Sequence, residues 1–250
     1  MFVRMLALCA VASLSLAAGA NADSWAGYYI GVNGGGGQAS ADTTRTISGT
    51  GYFAASSISA IQTASMMSLD KDGAAGGAQI GVNWPVGESF LIGLEGDVEG
   101  FGTEVSGAAV AVPYPCCVGS TFTTTNTVEQ SWLATARLRV GVKSDWFMAY
   151  ATGGYAGSDM KFRQTFSDTF PPVPVPLQVI ENAEFRNGYS AGGGIEVMIE
   201  SGASIKLEYL YLNLGEITAS GPIGPLTRTS DGRADVNDQL LRIGFNFQMD

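Results

Sequence analysis

Histidine is absent from all 250 residues. Chemistry that needs an imidazole as its base near neutral pH, Ser–His hydrolysis above all, is therefore excluded. Positive charge is scarce as well: 13 Lys and Arg stand against 23 Asp and Glu, a net charge of −10, which argues against nucleic acid as a partner. Charged residues make up only 14% of the chain. Beyond the first 22 residues there is no run of about 18 apolar residues, so no transmembrane helix is expected. A chain without such a helix spans a membrane only as a closed barrel. Cysteine is limited to Cys9 and the adjacent pair Cys116-Cys117, and a disulfide framework needs separated cysteines. The pair reads as two loop thiols or as a disulfide between neighbours. With no histidine to complete a site, no metal centre and no cofactor are expected.

Glycine, in contrast, is abundant at 34 residues, and the apolar content of 46% is that of a folded protein. Met1–Ala22 has the form of a secretory signal peptide. Arg4 supplies the positive start, Met5 to Ala18 the apolar core, and Ala20-Asn21-Ala22 the small-x-small cleavage site, which predicts a mature start at Asp23. Lipidation at Cys9 does not fit, because Leu8 before it is too large and too little chain precedes it. Residues 23–250 show no linker and read as one domain.

Ser131–Gly157 defines that domain. Trp132, Ala134, Ala136, Leu138, Val140 and Val142 occupy alternate positions, with Thr135, Arg137, Arg139 and Lys143 between them. A period of two marks a strand with one apolar and one polar face. About eleven residues is the length of a tilted strand that crosses a bilayer. Lys143-Ser144-Asp145 turns the chain, and a second strand starts at Trp146.

The same unit recurs. Strands are expected near 25–35, 73–84, 90–105, 132–142, 146–157, 185–199, 204–214 and 236–247. Long loops are expected at Gln38–Asp72, Ser106–Gln130, Ser158–Glu184 and Gly215–Asp235, and short turns at Pro85–Ser89, Lys143–Asp145 and Glu200–Ala203. The proline run Pro171–Pro176 should be extended and cannot be interior strand. Eight strands with long and short connections in strict alternation predict an all-β fold: an eight-stranded antiparallel up-and-down transmembrane barrel with both termini periplasmic.

Alternation alone fits a soluble barrel with an apolar interior equally well. Residue size separates the two. The apolar face carries Trp, Phe, Tyr, Leu and Ile, whereas the polar face mixes its charges with Gly, Ser and Thr, and eight strands enclose little room. The polar face is thus assigned to the lumen. It would hold Glu95, Asp97, Glu99, Glu196 and Glu208 against Arg137, Arg139, Lys206 and Arg242. Unpaired charges in so narrow a space are costly, so a cross-lumen ion-pair network is expected, with a charge-lined conduction path as the alternative. Trp25, Trp84, Trp146 and Phe247 would mark the periplasmic aromatic girdle, and Trp132 and Tyr155 the outer one.

The stretches Trp25–Gly31, Trp132–Arg139, Tyr150–Gly154, Lys206–Tyr211 and Leu241–Phe247 together resemble the small outer-membrane immunogenic barrel family, which is porin-like and similar in architecture to the transmembrane domain of outer membrane protein A. The resemblance covers nearly every strand and little of the loops. It implies an eight-stranded outer-membrane barrel with antigenic surface loops. One departure is that such chains usually end on an aromatic residue, whereas Gln248-Met249-Asp250 follow Phe247 here.

Three motifs are decoys. Gly188-Tyr189-Ser190-Ala191-Gly192 matches G-x-S-x-G but falls within an expected strand, with no histidine to serve it. Gly49-x-Gly51 lacks a βαβ unit. Asp70-Lys71-Asp72-Gly73 lacks the closing glutamate of a calcium loop and reads as a turn or loop end. The function expected is therefore non-enzymatic: a structural, surface-exposed barrel of the outer membrane. A small porin and a loop-borne adhesin or ligand binder are the alternatives. The partners expected are outer-membrane lipid and lipopolysaccharide, the barrel-assembly machinery, and an extracellular ligand reached through the loops.

Overall fold

The structure is a computed structural model that describes residues 24–49, 51–170, 177–200, 202–224 and 228–249. The leader Met1–Ala22 and the proline run Pro171–Pro176 lie outside the described residues. Eight strands follow one another: β1 (Gly27–Ser48), β2 (Met67–Val86), β3 (Phe90–Pro113), β4 (Thr121–Lys143), β5 (Phe147–Asp168), β6 (Gln178–Glu200), β7 (Ala203–Pro222) and β8 (Thr229–Met249). One helix, α1 (Ala55–Ala64), lies between β1 and β2. Every strand pairs antiparallel with its neighbours in sequence, and β8 closes on β1 along a register from Tyr28↔Met249 to Ser48↔Thr229. In the half of the barrel nearer Tyr28↔Met249 every strand is paired on both sides, so the backbone there is satisfied within the wall; towards the opposite end the β2–β3 ladder stops at Gly76↔Gly100 and the β6–β7 ladder at Tyr189↔Asn213.

Three tight turns join strand pairs at one end of the barrel. Gly87 (φ +64°) and Gly202 (φ +88°) take the left-handed conformation that the β2–β3 and β6–β7 turns require. The four longer connections lie at the other end. We refer to these as the turn end and the hairpin end.

At the turn end, residue size does what the sequence reading expects of it. Leu138 and Leu207 are 48% and 43% exposed on the outside, while Arg137 is 2% and Glu208 0% exposed within. The glycines of the inner face leave room for the long side chains. A Cβ on Gly244 would lie 2.7 Å from Lys206 Cε, and one on Gly81 would collide with the ring of Tyr29.

The strands correct the sequence reading in their length. They run 20–24 residues, and most of the expected loops Ser106–Gln130, Ser158–Glu184 and Gly215–Asp235, and about half of Gln38–Asp72, are strand. The physical reason is a reversal of polarity. On β8 the outward residues are Leu241, Ile243, Phe245 and Phe247 towards the turn end, but Arg233, Asp235, Asn237 and Gln239 towards the hairpin end. Inward, the apolar Ala234, Val236 and Leu240 take over from the ionic set, with Asp238 among them bound by Gln130 at 2.9 Å. A search for strands with an apolar outer face stops where that face turns polar. Bulges add to the loss: at Gln130/Leu133 in β4 and Asn213/Gly215 in β7 the register slips, and the inward positions change parity. Asp70–Gly73, read as a turn or loop end, lies in β2 with Asp70 opposite Ser40.

Helix α1 was also not expected. Its sequence ASSISAIQTA has no acidic residue in the first turn and no side-chain cap at Ala54, so it carries few start signals. Tertiary contact holds it: Ile61 and Ser57 are buried, and Ser65 closes its end through Oγ–H to the Ile61 carbonyl at 2.9 Å.

Candidate functional site

The candidate site is the axis of the barrel, which is filled in successive layers. At the turn end Trp25, Leu91, Met148 and Tyr150 form a plug. Trp25 donates Nε1–H to the Ser144 carbonyl at 2.7 Å and is fully buried. This corrects its expected place in the outward girdle: Trp25 precedes β1 and folds inward across the opening, where its indole N–H finds a turn carbonyl.

Above the plug the nine charged residues expected in the lumen come together. Several face one another across adjacent strands, since register pairs Glu95 with Arg137, Glu196 with Lys206 and Glu208 with Arg242. Others reach across the lumen. Arg137 meets Glu208 at 3.1 Å in addition to its neighbour-strand partner Asp97 at 2.7 Å, Arg139 meets Glu196 at 2.7 Å, and Lys206 meets Glu95 at 2.9 Å. Arg242 bridges Glu208 at 2.6 Å, Asp97 at 3.1 Å and Glu99 at 3.1 Å. Two tyrosines that sequence reasoning left out belong to this layer. Tyr29 donates to Glu95 at 2.7 Å and Tyr150 to Glu208 at 2.9 Å, and the Arg139 guanidinium lies 4.0 Å from the centre of the Tyr150 ring. Inward parity could have placed Tyr29, which alternates with Gly31 and Asn33, but parity does not name the partner.

Next comes an apolar layer that includes Phe101, Leu133, Phe162, Leu210, Leu212, Leu214 and Leu240, all fully buried. Leu210 and Leu212 follow Lys206 and Glu208 on the inward face of β7 and carry it from the ionic layer into this one. A polar step follows, in which Asn126 donates to Thr43 Oγ at 2.7 Å and to the Ser65 carbonyl at 2.8 Å.

The hairpin end is capped by a second apolar cluster, with Phe53, Ile61, Tyr114, Phe122, Phe166 and Ile223 buried under α1. The hydroxyls of Tyr114 (2.8 Å) and Tyr52 (3.3 Å) both donate to Asp168. Burial, followed by the Asp168 carboxylate, pushes the Tyr52 phenol up to about 12. Burial raises Tyr114 also, with the hydrogen bond to Asp168 second. Arg228, from the β7–β8 connection, donates to the carbonyls of Gly49 at 2.7 Å and Phe53 at 3.0 Å, so two connections are tied together. Cys116 and Cys117 form a disulfide with each other in the β3–β4 connection.

The remaining aromatic positions face outward. Trp84 is half-buried, and Trp146 and Phe247 are exposed near the turn end. Trp132, half-buried, donates Nε1–H to Asp159 at 2.9 Å, where the outer face changes from apolar to polar; Tyr155 is exposed nearby on β5. Tyr209 and Tyr211, which sequence reasoning did not single out, each place a ring outward and donate a hydroxyl to Gln239 and Asn237 on the polar side, both at 2.8 Å. Ser190 of the G-x-S-x-G match is buried within β6. Among the described residues no group of three or more Asp, Glu and Cys is placed to hold a metal ion.

The profile of the outer membrane protein beta-barrel domain family matches residues 6–248. The chain is 25% identical to the 31 kDa outer-membrane immunogenic protein of Brucella melitensis over 228 residues, which are 90% of this chain and 84% of that protein. It is 26% identical over 167 residues to the 22 kDa outer membrane protein of Rhizobium leguminosarum, covering 67% of this chain and 63% of that one. Among solved structures, OprG of Pseudomonas aeruginosa aligns over 90% of this chain and 97% of its own, with 13% identity and a TM-score of 0.45.

Proposed function

This chain belongs to the outer membrane protein beta-barrel domain family, and we propose that it serves the outer membrane as a sealed structural barrel that holds its hairpin end outward. It is an outer-membrane protein of the immunogenic barrel group, and its apolar outer band is the surface that meets lipid. The observation that carries the proposed role is the filled axis. An ion must pass the Trp25 plug, a layer of paired charges, and then the Leu210, Leu212 and Leu214 stack, where it would lose its hydration beside few polar groups, Asp238 and Gln130 being bonded to each other at 2.9 Å. This weighs against the small-porin reading.

A non-enzymatic role is supported by the same features. Ser190 is buried in a strand, and the acids and bases of the lumen are bound to one another rather than to an open cleft. In this role the partners are outer-membrane lipid and lipopolysaccharide around the band, together with the barrel-assembly machinery that inserts the chain. The outward rings of Trp84, Trp146, Phe247, Trp132 and Tyr155 would sit at the two interfaces.

Planar-bilayer recordings of the refolded protein test the sealed lumen. A sealed barrel gives no reproducible conductance steps. Stable openings in the wild type, abolished by substitution of Arg137 or Glu95, would overturn the proposal in favour of a pore.

A further inference from the structure

At the hairpin end, the residues that lead into α1, the β3–β4 connection and Phe170 just beyond β5 line a pocket of about 170 Å³. Its walls are the rings of Tyr52, Phe53, Tyr114 and Phe170, the start of α1 at Ala54 and Ser57, and the Cys116–Cys117 disulfide. The geometry points to a binding site for a small, uncharged aromatic molecule of one or two rings. The inference concerns the cap alone and does not depend on whether the lumen conducts.

The first argument is the direction of the polar groups. Tyr52 and Tyr114 both turn their hydroxyls to Asp168, which also accepts the Phe170 backbone N–H at 3.3 Å. The phenols are thereby held in place, and what they offer to the pocket is ring surface. Among the wall residues only Ser57 has another hydroxyl, and its Oγ sits 3.3 Å from Cys116 Sγ. No wall residue carries a formal charge. A sugar needs several convergent hydrogen-bonding groups and an anion needs a cation, and these walls supply neither.

The second argument is shape. Tyr52 packs edge-on against Phe53 (centroids 4.9 Å apart, planes at 81°) and Phe170 (5.8 Å, 87°), while Tyr114 meets Phe170 at 6.3 Å and 82°. These are the edge-to-face contacts that aromatic rings favour, and a guest ring can extend the set. The disulfide adds a polarizable sulfur surface, suited to the edge of a ring. It lies in a turn braced by the Tyr114 N–H to Ser120 carbonyl bond at 3.0 Å and the Ser120 N–H to Cys117 carbonyl bond at 3.1 Å. The third argument is size: an apolar cavity of about 150 Å³ is known to admit benzene.

Indole is the probe for the test, with the full chain folded in phosphatidylcholine nanodiscs and binding followed by saturation-transfer NMR during titration. Saturable binding is expected in the wild type and absent from empty nanodiscs. Phe170→Ala should weaken it about fivefold or more, the equivalent of one lost aromatic contact. The double variant Cys116→Ser/Cys117→Ser should weaken it also. Tyr189→Ala, on the outward face away from the cap, should bind as the wild type does. Each variant is first checked for folding by its heat-dependent shift on a gel. Uptake that does not saturate, or unchanged affinity in either cap variant, overturns the assignment.

Discussion

Between Asp235 and Phe247 the wall of the barrel turns inside out. Towards the turn end, β8 shows Leu241, Ile243 and Phe247 to the outside and holds Arg242 among four carboxylates within. Towards the hairpin end it shows Arg233 and Asp235 to the outside and buries Ala234 and Val236. One continuous strand obeys two opposite burial rules. Its ladder with β1 runs unbroken across the boundary; the solvent outside changes. The strand period is a property of the pleat, whereas the polarity of each face is a property of what that face meets. The two halves also differ in what holds them. The membrane half depends on ion pairs shut away from water, and the other half on apolar packing interleaved with buried hydrogen bonds such as Asn126 to Thr43 and Arg45 to Gln164.

Substitutions that strain this contrast should have effects in a definite order. The largest is expected for Arg137→Met, which leaves Asp97 and Glu208 short of a cation in a dry lumen. Breaking a buried pair from one side costs about 3–5 kcal/mol. Urea unfolding in lipid should show this, and a loss below about 1 kcal/mol would mean that the lumen is wetter than the structure implies.

Next in size is a matched pair on the outer face of β4. Leu138→Arg places a charge near the middle of the band and should cost about 2–4 kcal/mol. Thr125→Arg, on the same strand beyond the band, should change stability by no more than about 0.5 kcal/mol. Equal costs at the two positions would erase the boundary.

The smallest effect should be in the cap. Tyr52 and Tyr114 keep their protons in the fold beyond the pH, near 10, at which an unfolded tyrosine loses its own. Their stabilisation is complete below that pH, and the share of Tyr52 is lost as pH rises towards about 12, its value in the fold. Proteolysis at pH 11 should therefore cut residues 51–66 more readily than at pH 8, with the band strands intact. Tyr114→Phe, which removes one donor from Asp168, should loosen the same segment already at pH 8 by about 1 kcal/mol.

The sequence discloses the membrane half far better than the other. From Trp132 to Val142 every even position is apolar, so the strand and the inward side of Arg137 and Arg139 could be read directly. Parity also put Lys206, Glu208 and Arg242 on one side. It could not tell that Arg242 reaches Asp97 and Glu99 across the lumen, because that depends on the shear and diameter of the closed ring. Trp25 was misplaced because it precedes the first strand and has no parity to obey. The hairpin-end strands were missed because their outer residues, such as Thr123, Thr125, Thr127 and Glu129, look like a loop, and because the β4 bulge breaks the phase. Helix α1 was invisible because contact under the cap, rather than propensity, forms it.

Strand length has a mechanical consequence. On β4 the stretch Thr121–Gln130 continues past the band, and ten residues tilted as in a barrel rise roughly 25 Å. That is close to the thickness of the hydrocarbon it leaves behind. The cap therefore rides on a stiff, hydrogen-bonded pillar instead of a tangle of tethers. It would stand at a fixed height above the band, and a molecule approaching from that side would meet the tip of the pillar long before it met lipid.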